Sequence, residues 1–493
     1  MANSIIINKG QGGLGAPLPG EDFISGYIHY TSATLPTGFS TASAIHEVFS
    51  VSDAEALGIT DTHLGETLAH STYTVSSGGI TASQFLLSVN GVNLNATITN
   101  TANQTITQMG VALVAAINLL TTTTGYSATG TTATFSIFAP AGSGVGANSY
   151  TVATTATLGA AGSAGSFSGG AASQIDIIHY HISEYFRAQP KGDLYVGIYA
   201  QSSDYAEVTT MQNYATGKIR QVGVYSQSAF STGIVGLLQT QVSLCTGNFK
   251  PLEAILQADF SATSDLTTLT DLHTLTDANV SVIVGQDGAA VGNTLWLATG
   301  KSIGQLGITL GAVSFASVSD DIGWVGKFNM SDGVENDTLA FANGTAYSSL
   351  SDGTITNIDG KAYLFLRKEI GIAGSYFDDS YTCIALTSDY CYMERNRTIN
   401  KATRGLRSLL IPQLASPIKV NADGTLTKDV IGFYKALASR ALDVMVSNNE
   451  LSAHKITINP AQNVLSTGQL VLGIGLVPIG VARTIVVNIG FTL

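Results

Sequence analysis

Residues 175–200 read IDIIHYHISEYFRAQPKGDLYVGIYA. The run predicts a helix, a turn at Pro190-Lys191-Gly192-Asp193, and then a buried strand, because a short apolar stretch bounded by turn residues suits a strand covered on both faces. The chain that follows keeps this rhythm. IRQVGVYS (219–226) predicts a strand, STGIVGLLQTQVSLC (231–245) a capped helix and ANVSVIVGQD (278–287) a second strand. LATGKSIGQLGITLGAVSF (297–315) predicts a Gly-interrupted helix. Strands that alternate with helices predict an open α/β sheet with parallel strands.

Upstream, FISGYIHY (23–30) predicts a strand, and SVSDAEALGI (50–59) a short helix with Ser52 or Asp53 as N-cap. From about Glu66 to Ser173 the texture changes to Thr, Ser, Ala and Gly with very few charges. Within it, FLLSVNGVNLNATI (85–98) predicts a hairpin whose Asn90-Gly91 suits a type I′ turn. TITQMGVALVAAINLL (105–120) predicts an apolar helix, YSATGTTATFSIFAP (126–140) further strands, and GAAGSAGSFSGGAAS (159–173) a flexible return linker. The stretch reads as a small α+β insertion into a body that stops near Gly65 and resumes at Gln174.

Downstream of Asp359 the pattern shifts again. AYLFLRKEI (362–370) predicts a strand, RTINKATRGLRSLLIPQL (397–414) an amphipathic helix and KDVIGFYKALASRALDVMV (428–446) a longer one. HKITINP (454–460), GQLVLGIGLVPIG (468–480) and ARTIVVNIGFTL (482–493) predict strands. In the last, Ile485, Val487, Ile489, Phe491 and Leu493 share one face of an extended strand, so the chain closes on a half-buried strand pattern. Near the start, Ser4–Asn8, with Ile5, Ile6 and Ile7, predicts another short strand, tethered by the Gly/Pro-rich GQGGLGAPLPG (10–20). The expected class is α/β and α+β multidomain: an open α/β sheet core, an inserted small α+β domain, a C-terminal α+β domain and strand arms at both ends. The expected division is 1–20 arm and linker, 21–65 plus 174–358 core, 66–173 insert, 359–480 C-terminal domain and 481–493 arm.

Of the 493 residues only 11% are charged, against about 25% in typical soluble chains. Hydroxyls and amides are cheaper to desolvate than ions, which suits a surface packed against copies of itself. A net charge of −12 argues against general nucleic-acid binding. MANSIIINKGQGG reads as neither a signal peptide nor a membrane anchor. The three cysteines, Cys245, Cys383 and Cys391, lack metal-like spacing and read as reduced, buried thiols.

Gly300-Lys301-Ser302 resembles the end of a P-loop, but Leu295 stands where the phosphate cradle needs glycine. Gly142-Ser143-Gly144-Val145-Gly146 has no helix after it and reads as a loop. His179 and His181 lack a Cys or Glu pair nearby to complete a metal site. Asp320-Asp321 and Asp378-Asp379 read as loop or capping carboxylates. No catalytic constellation emerges; no enzyme activity, cofactor or metal is expected. Arg395, Arg397, Lys401, Arg404 and Arg407 fall within 13 residues of a chain with 22 Lys and Arg in all. Arg397, Lys401 and Arg404 share a helical face, which reads either as a solvated stripe or as a docking surface for an acidic partner. Ile399, Ala402, Leu406, Leu409 and Leu410 can cover the opposite side.

GGLGAPLPGEDFISG (12–26), SVSDAEALGI, HYHISEYFRAQPKGDLYVGIY (179–199) and IGWVGKFN (322–329) resemble, in order and texture, the contractile tail sheath proteins of bacteriophages and related contractile injection systems. YTCIALTSDYCYMERNRTINKATRGLRSLLIPQL (381–414) and NVLSTGQLVLGIGLVPIGVARTIVVNIGF (463–491) complete a resemblance covering about 5–65 and 174–493, nearest to the lineage in phages of Bacteroidetes. It implies a structural subunit that stacks as hexameric rings around a tail tube and contracts to drive the tube through the host envelope, without nucleotide. The partners implied are other copies of the chain, the tube protein, the baseplate and the tail terminator; the place implied is a virion tail, assembled in the bacterial cytoplasm. Arm roles fall on Ile5, Ile6, Ile7, Ile485, Val487, Ile489, Phe491 and Leu493. A tube-facing role falls on Arg397, Lys401, Arg404 and Arg407. Another virion tail or host-surface-binding protein is the competing reading.

Overall fold

The computed structural model describes residues 21–33 and 35–491. The predicted N-terminal strand with Ile5, Ile6 and Ile7, and Leu493 at the other end, lie outside the described residues.

The 175–200 run forms helix α1 (Gln174–Ala188), a turn, and a strand at Asp193–Tyr199. That strand belongs to a seven-stranded sheet. Its members are β1 (Ile24–Tyr30), β2 (Ile45–Val48), β3 (Asp193–Tyr199), β4 (Gln221–Ala229), β5 (Glu253–Asp259), β6 (Val280–Ile283) and β7 (Tyr363–Leu364). Their spatial order is β7-β6-β5-β4-β1-β3-β2. All pairings are parallel except the edge strand β2, which runs antiparallel to β3. Helices α2 (Glu207–Tyr214) and α3 (Thr232–Gly247) cover one face; α1 and α4 (Leu306–Phe315) cover the other. Side chains alternate accordingly: Ile28, Val224 and Leu256 enter the first core, and Tyr27, Tyr225 and Ile255 the second.

The predicted helix at 297–315 is in fact two. Helix Val291–Thr299 ends at Gly300, which takes φ +61, and α4 starts only at Leu306. The glycines of α4 serve contact with α1: a Cβ at Gly307 would lie 2.2 Å from the His181 carbonyl oxygen, and one at Gly311 would lie 2.6 Å from that of Tyr185. The helix at Val51–Ala56 is capped by Ser50, not Ser52 or Asp53; the Asp53 carboxylate instead accepts the Phe49 N–H.

Residues between Ala69 and Phe167 build a separate core around Tyr73, Phe85, Leu87, Leu113 and Phe135. Strands His70–Gly78 and Thr134–Phe138 lie in one antiparallel sheet, Gln84–Val89 and Val152–Ala156 in another, and helix Ile106–Leu119 packs on them. Asn90 (φ 49) and Gly91 (φ 82) both take positive φ, as a type I′ turn demands. The expected return linker is a correction: Ala160–Ala164 is an edge strand paired with His70–Gly78, and Phe167 is buried. Its small residues let it lie flat, since a Cβ at Gly162 would strike the Tyr73 hydroxyl.

Both ends of this unit return to one place. Thr67 and Ala171 form a β-bridge, and Asp176 accepts the His63 N–H (3.0 Å) and contacts His63 Nδ1 at 2.6 Å. The unit also touches the body through its glycine loop, where a Cβ at Gly144 (φ +48) would lie 2.1 Å from the Ala298 carbonyl oxygen. Glu66 accepts the N–H groups of Gly142 and Gly144 and fixes that loop.

The change of texture at Asp359 does not mark a domain boundary. Tyr363–Leu364 pairs with Val282–Ile283 as the sheet edge β7, so residues just beyond 359 belong to the α/β body. The C-terminal α+β unit consists of α5 (Met393–Leu410), α6 (Lys428–Ser447), β8 (Ala453–Thr457) and β9 (Gly473–Val477).

Candidate functional site

The C-terminal unit carries the most unusual surface. Thr427 caps α6 by accepting the Val430 N–H. Strands β8 and β9 pair antiparallel with Ile456 opposite Ile474. Ile456, Ile474 and Leu476 pack with Ala402 of α5 and Leu442 and Met445 of α6. The hairpin has only two strands, so the outer edge of β9 has no partner among the described residues. Alongside that edge runs a groove of about 680 Å³ between β9 and α5, lined by Ile399, Ala402, Leu406, Ile474, Leu476 and Tyr390.

After Val477 the chain forms no helix or strand as far as Phe491. The relative exposures of Ile485, Val487, Ile489 and Phe491 are 80%, 69%, 93% and 110%, so these four members of the predicted apolar face lie largely in solvent. The expectation of a terminal strand is therefore corrected for the single chain. A strand needs a neighbour to satisfy its N–H and C=O groups, and none is present there.

The root of this segment is held by one side chain. The Arg483 guanidinium donates to Asp379 (2.9 Å) and Glu394 (2.9 Å) and lies 2.9 Å from Asp321. It also lies 3.4 Å from the centre of the Tyr392 ring. Burial alone would lower its pKa, but the hydrogen bonds to Asp379 and the charges of Asp379, Glu394 and Asp321 outweigh burial and raise it. Burial, then the charges of Asp379 and Glu394, push Asp321 up to about 7. Sequence reading passed over Arg483, although it is the one charged residue after Lys455.

The basic stripe is the main correction. Arg397, Lys401 and Arg404 do share a face of α5, but that face docks onto the chain's own body. Arg397, 4% exposed, donates to the Ala316 and Ser317 carbonyls (3.1 Å each) at the C-terminal end of α4, where a cation meets the negative end of the helix dipole. Lys401 reaches Asp22 (2.6 Å) and Glu450 (2.5 Å), and Arg404 reaches Asp22 (2.8 Å). Asn400 donates to the buried Glu253, whose pKa is pushed up to about 8 by burial against the opposing amides of Asn279 and Asn400 and the charge of Arg397. Arg407 is half-buried, its guanidinium 3.5 Å from the centre of the Phe249 ring. The charges of Arg397, Lys401 and Arg404 are thus consumed inside the chain, which removes them as a tube-facing surface.

The residues weighed for catalysis are occupied too. Lys301 pairs with Asp259 (2.5 Å), and Ser302 donates to the same carboxylate. His179 meets Glu55 at 3.3 Å, while His181 is buried beside Tyr225. Parallel α/β sheets bind ligands where the strand order reverses. Here that point, at the ends of β1, β3 and β4, is filled by Tyr30 and Tyr205, with the Tyr30 hydroxyl donating to Glu207. Cys245, Cys383 and Cys391 are buried free thiols. Among the described residues, no group of three or more His, Cys, Asp or Glu could hold a metal ion, and no helix is long and apolar enough to cross a membrane.

No curated protein matches the chain. Among solved structures, it is similar to a chain of the helical sheath of the anti-feeding prophage (AFP) in the contracted state, with TM-score 0.46 and 12% identity over 63% of this chain and 81% of that one. A chain of the contracted sheath complex of the extracellular contractile injection system PVC gives TM-score 0.43 and 14% identity over 64% and 80%. A chain of the six-fold symmetrised AFP baseplate gives TM-score 0.44 and 11% identity over 64% and 80%. The model for the DUF2586 N-terminal domain matches residues 2–381, that for the DUF2586 C-terminal domain matches residues 389–493, and the chain belongs to the DUF2586 family.

Proposed function

We propose that this chain is the structural subunit of a contractile tail sheath, stacking as hexameric rings around a tail tube, bounded by a baseplate and a terminator, in a virion tail built in the bacterial cytoplasm. One observation carries the reading: the same chain holds an unpaired, exposed apolar strand sequence and an open strand edge beside a groove whose apolar floor is rimmed by Asp389, Arg395, Thr398 and Thr403. The arm of one copy adds next to β9 of another, its N–H and C=O groups complete the open ladder, and Ile485, Val487, Ile489 and Phe491 enter the groove over α5. The resemblance of the sequence to sheath proteins supports the same reading, including the part given to the N-terminal strand.

The magnitudes favour a lattice over a dimer. Four apolar side chains bury roughly 6–12 kcal/mol gross. Bringing two proteins together costs about 4–15 kcal/mol. A single arm scarcely offsets that cost, whereas each added subunit in a mesh engages several arms at once. Work then comes from an assembly held away from its most stable packing, which asks for no nucleotide, cofactor or catalytic group. The unit at 66–173 is assigned to the outer surface. Tube contact is reassigned to α6, whose exposed cations are Lys428, Lys435 and Arg440.

Electron microscopy of the purified chain tests this reading. Rings or striated tubes are expected for the wild type, and dispersed particles with unchanged melting temperature for Ile489→Asp. A wild-type chain that stays monomeric at every concentration overturns it.

A further inference from the structure

We infer that Arg483 is a pin that divides the C-terminal segment in two: residues 478–483 stay with the subunit's own body, and only the chain from Thr484 onward is free to be exchanged. The arm role rests on the sheath reading; the pin itself rests on the geometry of one chain. The socket draws on three separate parts of the fold. Asp321 follows α4, Asp379 lies in the loop after Tyr376–Phe377, and Glu394 sits in the first turn of α5. Their carboxylates converge on one guanidinium whose remaining face lies against Tyr392, and Ser380 Oγ adds a contact at 3.3 Å.

A planar group with five N–H donors can meet several carboxylates at once; an ammonium presents a single point charge. The socket also holds more negative than positive charge, so it retains its cation strongly. On either side of the pin the segment is loosely held. The Pro478 carbonyl accepts the Ser452 hydroxyl, and no hydrogen bond is made by the described residues after Arg483. Pulling on a captured arm therefore loads the junction of α5 with the sheet body before it reaches β9. Without the pin, the same pull would peel β9 from β8 one pair at a time. Thr484–Phe491, at about 3.3 Å per residue, gives a free reach of roughly 26 Å.

The test uses spin labels on cysteines introduced at Thr484 and Ser447, since the three native thiols are buried. Distances are read by pulsed electron resonance on the unassembled full chain. The wild type is expected to give one narrow distribution, Arg483→Lys a wider one, and Arg483→Gln a broad one, because the root then swings from Pro478. Arg483→Gln combined with Asp379→Asn and Glu394→Gln removes the pin without leaving carboxylates in repulsion, and is expected to broaden equally. An Arg483→Gln distribution as narrow as the wild type overturns the pin. Broadening in a chain that never polymerises keeps the pin and removes the sheath reading; polymerisation with an unbroadened Arg483→Gln does the reverse.

Discussion

Replacing Lys401 with methionine tests whether α5 is stapled to the body or faces a partner. Its ammonium lies 2.6 Å from Asp22 and 2.5 Å from Glu450, and its side chain is 6% exposed. Asp22 keeps a second cation, Arg404 at 2.8 Å. Among the described residues Glu450 has none: its Oε1 accepts from Lys401, and its Oε2 is buried with no partner there. Lys401→Met therefore leaves a buried carboxylate uncompensated, a loss worth about 3–5 kcal/mol. With an unfolding entropy of about 2 cal/mol/K per residue, a chain of this length shifts by roughly 1 °C per kcal/mol, so the melting temperature falls by roughly 3–5 °C in scanning calorimetry. Adding Glu450→Gln removes the orphaned charge and is expected to recover more than half of the loss. An exposed stripe behaves differently, because a surface pair contributes about 1 kcal/mol or less. A Lys401→Met shift below about 2 °C would refute the staple. By the same reasoning, reversing the charges of Arg397, Lys401 and Arg404 together unfolds the junction before any partner is involved.

Gly144→Ala drives a methyl into the Ala298 carbonyl at a positive-φ position, so it is expected to cost about 1–3 kcal/mol and to speed proteolysis at the seam between the 66–173 unit and the body. Deleting residues 68–170 joins Thr67 to Ala171, which already pair, and is expected to leave a folded body that still melts in one cooperative transition. Glu253→Gln is expected to change the pH dependence of stability. Burial pushes the Glu253 carboxyl up to about 8 from the ordinary 4.5, so its neutral form supports the fold at low pH and that support is lost as pH rises through 8. Denaturation of the two proteins at pH 5 and pH 9 is expected to differ in favour of Gln at the higher pH, by up to about 5 kcal/mol; parallel curves would show that Glu253 ionises without cost.

The parallel sheet was legible because each strand is covered on both faces, so its apolar runs are continuous and separated by helices. Asn90-Gly91 was legible because a two-residue turn with both φ positive has few alternatives. Less legible was Ala160–Ala164, whose three alanines, one glycine and one serine carry little strand propensity and are held by pairing with His70–Gly78. The α5 stripe shows the limit of periodicity: spacing placed Arg397, Lys401 and Arg404 on one face correctly, but not which way that face points. The partner that decides it, Asp22, lies 379 residues from Lys401 in sequence. Arg483 left a usable trace, since a lone charge in an otherwise uncharged apolar tail calls for a partner.

The central claim is that the arm of one copy occupies the groove of another. Two populations report on it: one with Val487→Cys in the arm, the other with Thr403→Cys at the groove wall, mixed and oxidised under assembling conditions. Disulfide-linked pairs containing one chain of each kind are expected, lost when the first population also carries Ile489→Asp. Assemblies that form without any such pair, or a chain carrying both Val487→Cys and Thr403→Cys that links only within itself, would contradict it.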